Sequence, residues 1–283
     1  MSDDTLLRDT YVHGHEPAVV RHHGMRTAEE AAAFLLPELS PEMRLLDVGC
    51  GPGSITLGLA ERLPRGEVVA IDLSQDTLAQ ARLDAEARGV KNLRYEYGNV
   101  YELAYPDASF DVVFAHQVMQ HLTDRQAALR EMLRVVKPGG RIALRDVDWG
   151  ATTYWPPDPW LDRFLDVYQE AARRLGGEPQ MGRQMRALFH EAGITDVRVT
   201  AAVWCYATPE ETITYGDAYA DRLLTSSMGE RPVEAGLATS ADIEAMAEAF
   251  RVWARKPDAQ WTFTHMAALG RRPALWGATP QGP

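Results

Sequence analysis

The sequence predicts an α/β protein: a doubly wound, mostly parallel, seven-stranded sheet carrying helical cap insertions. Three observations predict it. Short apolar runs of strand length alternate with helix-length segments between residue 44 and about residue 150. The helical segments open on capping residues and close on glycine or proline. Two further strand-like runs, "DVRVTAAVWCY" and "QWTFTHMAALGRR", lie late in the chain, where they can pair with each other and finish the sheet.

In chain order, "RTAEEAAAFLLPEL" sets Thr27 three residues before Glu30 as a capping box and runs an apolar stripe up to Pro37, so a helix precedes the first strand. "MRLLDVG" is an apolar run ending at Gly49. "SITLGLAERL" is a helix stopped by Pro64 and Gly66, and "EVVAIDL" is a buried strand. A second unit repeats the plan, with a helix from about Gln75 to Arg88, capped by Ser74 and closed by Gly89, and then the strand "NLRYEY". "FDVVFA" is the fourth strand, "DRQAALREMLRVV" a helix, "KPGG" a stop and "RIALRDVDW" the fifth strand. Beyond residue 150 the rhythm changes. "ATTYWPPDPW" reads as an aromatic, proline-rich link, with helices near 158–175 and 181–192 and a helical block over about 208–256. The expected organisation is one domain over 1–283: an N-terminal flap and helix (1–43), a core (44–150), cap insertions (151–192 and 208–258) and closing strands (193–207 and 259–272).

Composition narrows the function. A chain of 283 residues with 46% hydrophobic content can bury a full core. Its formal net charge of −11 argues against a nucleic-acid partner, which calls for a basic stripe. No run of eighteen apolar residues is present and the N-terminus opens with acids, so no membrane span is expected and a cytoplasmic enzyme is. The two cysteines, Cys50 and Cys205, stand in no zinc spacing.

The segment "LLDVGCGPGS", residues 45 to 54, carries the chemistry. A strand entering a glycine turn and then a helix brings backbone N–H groups close to a ligand, because glycine has no Cβ to hold it off. Asp72 follows Gly53 by nineteen residues, at the end of the second strand, where such a sheet places an acid on ribose hydroxyls. The pair implies a ligand with an adenosine part. With glycines at 49, 51 and 53 and Ser54 where a third fingerprint glycine would fall, NAD is disfavoured. No Gly-Lys-Ser or Gly-Lys-Thr follows, which excludes a P-loop.

These stretches, together with "GNVYELAYPDASFDVVFAHQVMQHL" and "LRVVKPGGRIALRD", resemble the successive motifs of the class I S-adenosylmethionine-dependent methyltransferases, especially the small-molecule group similar to the ubiquinone and menaquinone methylases. The likeness covers roughly residues 44 to 148 and implies a Rossmann-like fold with S-adenosyl-L-methionine as cofactor. It implies that Gly49, Gly51 and Gly53 pass under the methionine and ribose, that Asp47 faces the amino end of the cofactor, that Asp72 holds the ribose hydroxyls and that Leu73 packs on adenine. The family's Gly-Asp-Ala reads here Gly98, Asn99, Val100, so Asn99 accepts near adenine through its amide oxygen without a charge. His116 and Gln117 occupy the position lining the methionine, and His121 with Leu122 matches a packing pair.

Methyl transfer needs mainly positioning, since the sulfonium is already an excellent leaving group and alignment can supply roughly 7 to 11 kcal/mol. No catalytic triad is required. Candidate general bases are His116, at the end of the fourth strand, and Asp146 and Asp148, whose side chains share one face of the fifth strand. No third ligand accompanies these acids and none completes the N-terminal histidines His13, His15, His22 and His23, so no metal is expected. The stretch "YVHGHEPAVVRHHGMRT" reads as a flap in which Tyr11, His13 or His15 touches ligand and Arg26 meets the cofactor carboxylate. Trp149, Trp155 and Trp160 follow the fifth strand, and Trp204, Tyr206, Tyr215 and Tyr219 fall near the second insertion. Aromatics there suit a flat, hydrophobic acceptor. Alternatives are a cyclase or binding protein using the same pocket without methyl transfer, and an RNA or protein methylase. The acceptor, the methylated atom and the oligomeric state are not legible in the sequence.

Overall fold

The computed structural model of the chain describes residues 26–274. Thr27 Oγ1 accepts the Glu30 N–H at 3.3 Å, one of the two hydrogen bonds of a capping box, and opens α1 (Ala28–Ala31). The helix expected to run up to Pro37 stops after this turn, and the chain passes through a 3₁₀ turn at Leu36–Glu38. Pro37 has no N–H with which to extend an α-helix. There follow β1 (Arg44–Val48), α2 (Ser54–Arg62), β2 (Glu67–Asp72), α3 (Gln75–Ala87), β3 (Leu93–Tyr97) and β4 (Phe110–His116). After a 3₁₀ turn at Met119–His121 come α4 (Arg125–Val135) and β5 (Val136–Trp155). The second half comprises α5 (Pro159–Arg174), α6 (Met181–Glu191), β6 (Val197–Tyr206), α7 (Pro209–Thr225), α8 (Ser227–Glu234), α9 (Ser240–Ala254) and β7 (Gln260–Arg271).

The sheet has seven strands in the order β3-β2-β1-β4-β5-β7-β6. The first five pair in parallel, and β7 lies antiparallel between β5 and β6. Two sequence expectations need correction. "KPGG" is not a stop but a register shift: Phe110 pairs with Val136, and pairing resumes at Val112 with Arg141. "ATTYW" is not a link, because β5 continues through it and, after a second shift, Thr153 to Trp155 pair with Thr262 to Gln260. Its β-branched and aromatic residues suit an extended strand, and Pro156 and Pro157 follow where the ladder ends.

One face of the sheet packs Leu46, Val113 and Leu144 against α4 and α6, through Leu129, Met132, Met185 and Phe189. Helix α6 therefore belongs to the sheet's own layer, whereas the sequence grouped it with the cap. The opposite face packs Leu45, Phe114 and Ala143 against α1 and α2. The cap proper is α5, α7, α8 and α9, whose aromatic cluster joins Phe164, Tyr215, Tyr219 and Phe250 to Trp149, Trp261 and Phe263 of the sheet. Phe164 and Phe250 meet edge to face at 4.9 Å. The cap thus covers the sheet on the same side as β5's odd-numbered residues Val147 and Trp149.

Candidate active site

The glycine bend is built from three left-handed glycines, with φ of 70° at Gly49, 53° at Gly51 and 78° at Gly53. A Cβ on Gly49 would fall 2.5 Å from Val118 Cγ2, and one on Gly53 would fall 2.2 Å from the Tyr95 hydroxyl, so both are closed against the protein's own side chains. Gly51 differs. Among the described residues, no atom lies within 4 Å of where its Cβ would stand. The Gly51 N–H donates to Asp72 Oδ2 at 2.9 Å and the Ser74 N–H to Asp72 Oδ1 at 2.9 Å, so the acid at the end of β2 ties the bend to the strand. Each carboxylate oxygen keeps a second lone pair for a hydroxyl. Leu73 beside it is 51% exposed, an uncovered apolar side chain at the sheet's edge.

Asp47 lies beneath the bend and is buried. Thr56 Oγ1 donates to its Oδ2 at 2.6 Å. Burial raises its pKa to about 7; the nearby Asp72 charge adds to this and the Thr56 hydrogen bond opposes it. Asn99 Oδ1 accepts the Tyr101 N–H at 3.0 Å, and Val100 is buried in the layer under α4.

At the end of β4, Gln117 holds a left-handed backbone with φ of 57°, fixed by its N–H donating to the Arg145 carbonyl at 2.7 Å. A non-glycine residue in that region is strained unless its surroundings impose it. Its side-chain amide meets His265 Nε2 at 2.9 Å. His265, on β7, stacks at 6.4 Å on His116, which is buried and whose Nε2 has no partner. Burial holds His116 well below the usual histidine range, and the charges of Arg26 and Arg145 push the same way. His265 is lowered likewise by burial and by Arg145 and Arg26. Both rings are neutral at pH 7.

Beside this pair lies a cavity of about 30 Å³ whose wall includes Arg26, Gln117, Gln120, Trp149, Trp204 and His265, with Tyr206, Tyr219, Arg222 and Phe263 from β6, α7 and β7. Arg26 stands 5.7 Å over the Trp204 ring and Arg145 5.1 Å over it. The bend and the cavity adjoin, because Gly49 packs on Val118 and the next residue towards β4 is Gln117.

The three predicted bases part company here. Asp146 and Asp148 do share one face of β5, but it is the face away from the cavity, which takes Val147 and Trp149 by the same two-residue alternation. Asp148 is gripped by Arg183 of α6 through two hydrogen bonds of 2.7 and 2.8 Å. Asp146 Oδ1 accepts the Gln120 N–H at 3.2 Å, and burial raises its pKa to about 8. Trp149 lines the cavity, whereas Trp155 is 59% exposed and donates its indole N–H to Asp258 at 3.1 Å. The structure therefore does not bring Trp155 to the site. Arg26 forms part of the cavity wall. Tyr11, His13 and His15 lie outside the described residues.

Sequence reasoning missed Gln120, Arg145, Arg222 and His265. Signals existed for two. His265 continues the inward alternation Trp261, Phe263, His265 of β7, and Arg222 follows Tyr215 and Tyr219 along the buried stripe of α7. A polar residue at a core position of an otherwise apolar stripe marks such a site.

A mostly parallel sheet with a glycine bend after β1 and an acid at the end of β2 defines a nucleoside-binding α/β enzyme. The comparisons specify the family. A family profile described as a methyltransferase domain matches residues 39–193, more than half of the chain. An uncharacterized methyltransferase of Schizosaccharomyces pombe is 31% identical over 261 residues, covering 89% of this chain and 92% of that protein. A probable methyltransferase of Aspergillus luteorubrus is 36% identical over 199 residues, 65% of this chain and 68% of its own length. Among solved structures, the YcgJ protein of Bacillus subtilis superposes with a TM-score of 0.57 at 21% identity, covering 87% of this chain and 99% of that one, a likeness of fold. The chain belongs to the methyltransferase family.

Proposed function

We propose that the chain transfers a methyl group to an oxygen, nitrogen or carbon atom of a hydrophobic small molecule, by in-line displacement. Its cofactor is S-adenosylmethionine, which when bound supplies an electrophilic methyl carbon on a sulfonium. The residues present fit that group. Gly51 offers a left-handed backbone with open space in front of it, Asp72 has lone pairs to spare for hydroxyls, and Leu73 leaves an apolar face uncovered. The single observation that supports the reading best is that this cradle adjoins the cavity beside His116 and Gln117 through Val118. Asp47 would sit below the amino end of the cofactor.

The protein's work is to hold, orient and exclude water. The cap cluster and Trp204 shield the cavity, and Gln117, pinned by its backbone bond and by His265, fixes one wall. His116 is the general base this geometry supports, with Nε2 unpartnered at the end of β4. Its strongly lowered pKa makes it a weak base, so the acceptor must surrender its proton readily.

The test is calorimetric titration with S-adenosylhomocysteine. Asp72→Ala is expected to bind more than about tenfold more weakly, a loss of about 1.4 kcal/mol or more. Unchanged affinity refutes the ribose assignment. Incubation with labelled methyl donor and small hydroxylated aromatics should then give labelled product; tight cofactor binding with no product from any acceptor would favour a cyclase or binding protein on the same fold.

A further inference from the structure

We propose that the cavity between β5, β7 and the cap seats a neutral hydroxyl of the acceptor, with Trp149 and Gln120 as its two hydrogen-bonding partners; this rests on the methyltransferase reading and names the chemistry its acceptor site selects. Four observations carry it. First, Trp149 lines the cavity at 4% exposure, and its indole Nε1–H has no hydrogen-bond partner among the described residues. An indole N–H only donates, so an accepting atom is called for. Second, Gln120 lines the same cavity at 3% exposure, and its Oε1 likewise has no partner among them. An amide oxygen only accepts, so a donating atom is called for as well.

Third, a single loop holds the backbones of both residues. The Glu178 N–H donates to the Gln120 carbonyl at 2.7 Å and the Trp149 N–H to the Pro179 carbonyl at 3.0 Å, both from the segment between α5 and α6. The Gln120 N–H donates in turn to Asp146 Oδ1 at 3.2 Å, and Tyr168 and Phe263 pack on the Trp149 ring at 4.1 and 4.9 Å. Donor and acceptor are therefore fixed before any ligand arrives. Fourth, about 30 Å³ is the scale of one small group, so one atom serving both partners fits better than two atoms serving one each. A hydroxyl is such a group: its oxygen accepts the Trp149 N–H and its proton goes to Gln120 Oε1. A carboxylate or carbonyl would set lone pairs against Gln120 Oε1, and an ammonium would leave the Trp149 N–H unmet. His265 Nε2 does not compete, since the Gln117 amide nitrogen, a donor, occupies it at 2.9 Å. Arg26, Tyr219 and Arg222 of the wall have partners of their own.

The experiment is equilibrium dialysis with S-adenosylhomocysteine saturating, on the wild type, Trp149→Phe and Gln120→Met. The probes are 2-naphthol, 2-fluoronaphthalene, which has nearly the same size without the hydroxyl, and 2-tetralone, whose oxygen only accepts. In the wild type the naphthol should bind at least about tenfold more tightly than either of the others. Each variant should bring naphthol and fluoronaphthalene within about threefold of each other while the affinity for fluoronaphthalene moves less than about threefold, a separation that lost packing alone would not give. In wild-type protein labelled with ¹⁵N at tryptophan, naphthol should move downfield the indole N–H resonance that is missing from Trp149→Phe. Should Trp149→Phe unfold, Gln120→Met carries the comparison. Equal binding of naphthol and fluoronaphthalene, as a bridging water alone would give, a preference for the ketone, a naphthol preference that survives in both variants, or no binding of naphthol at millimolar concentration overturns the proposal. Absence of S-adenosylhomocysteine binding by the wild type would instead refute the methyltransferase reading, and the naphthol-to-fluoronaphthalene ratio can still be measured without it.

Discussion

At β1 and β2 the edge of the sheet is made of backbone: three left-handed glycines, two N–H groups on one carboxylate, and an open space before Gly51. At β5 and β7 the same edge is made of side chains, contributed by Arg26, Trp149, Trp204, Arg222 and His265, which lie scattered over most of the described sequence. The first region binds through atoms every residue possesses and needs only the right torsions. The second binds through chemistry that must be assembled from distant segments. A local device is legible as a short string and tolerates few substitutions. An assembled one leaves faint traces and can be retuned residue by residue, which suits a part that chooses among acceptors.

That contrast is sharpest at the glycines. Gly53→Ala combines left-handed strain, about 1–2 kcal/mol, with a clash against Tyr95, and is expected to lower the melting temperature markedly and to reduce S-adenosylhomocysteine affinity at least about hundredfold. Gly51→Ala meets no atom of the described residues. It should cost only the strain in stability while still weakening the cofactor about tenfold, since its methyl enters the cradle. Equal losses of melting temperature in the two variants would break the distinction.

The next effect in size concerns Asp146. Burial favours its protonated form in the folded protein, with a pKa near 8 against 3.8 unfolded. The folded state therefore holds the extra proton across that window, and stability from this group is full below about pH 4 and lost as pH rises to 8. Asp146→Asn should flatten that decline and be the more stable protein at pH 8 by on the order of a few kcal/mol, read from urea midpoints. Asp47, raised to about 7, retains a decline of the same sign over a narrower pH window. A variant less stable than wild type at pH 8 would show that the carboxylate is ionised in place.

The tryptophans give the smallest and cleanest pair. Trp149→Phe keeps a ring against Tyr168 and Phe263 but removes the indole N–H, and should raise the acceptor KM about fivefold with little change in kcat. Trp155→Ala, on the surface beside Asp258, should change KM less than about twofold. The reverse order would put the acceptor on the exposed end of β5.

The alternation of strands and helices up to Trp149 was legible because each element announces itself within ten residues or so, by period and by cap: Thr27 and Ser74 both accept the N–H they were placed to accept. The bend and Asp72 were legible for the same reason. What failed was non-local. Proline and glycine in "KPGG" read as a stop because the sequence does not reveal that β4 is waiting beside them to accept a shifted register. Asp146 and Asp148 were placed correctly on one face of β5, but which face carries the cavity depends on where α6 and the cap settle. Leu73 and Trp155 are both exposed, and only their neighbours separate a ligand surface from ordinary surface.

One feature of the topology bears on how the chain is made. The last strand in sequence, β7, is not the last in space: it slides between β5 and β6, which have no other ladder joining them. Until residues 260–271 leave the ribosome, a slot with two unsatisfied rims stays open, and His265 is absent from the hollow it will line. Insertion of that one segment both closes the sheet and completes the cavity wall.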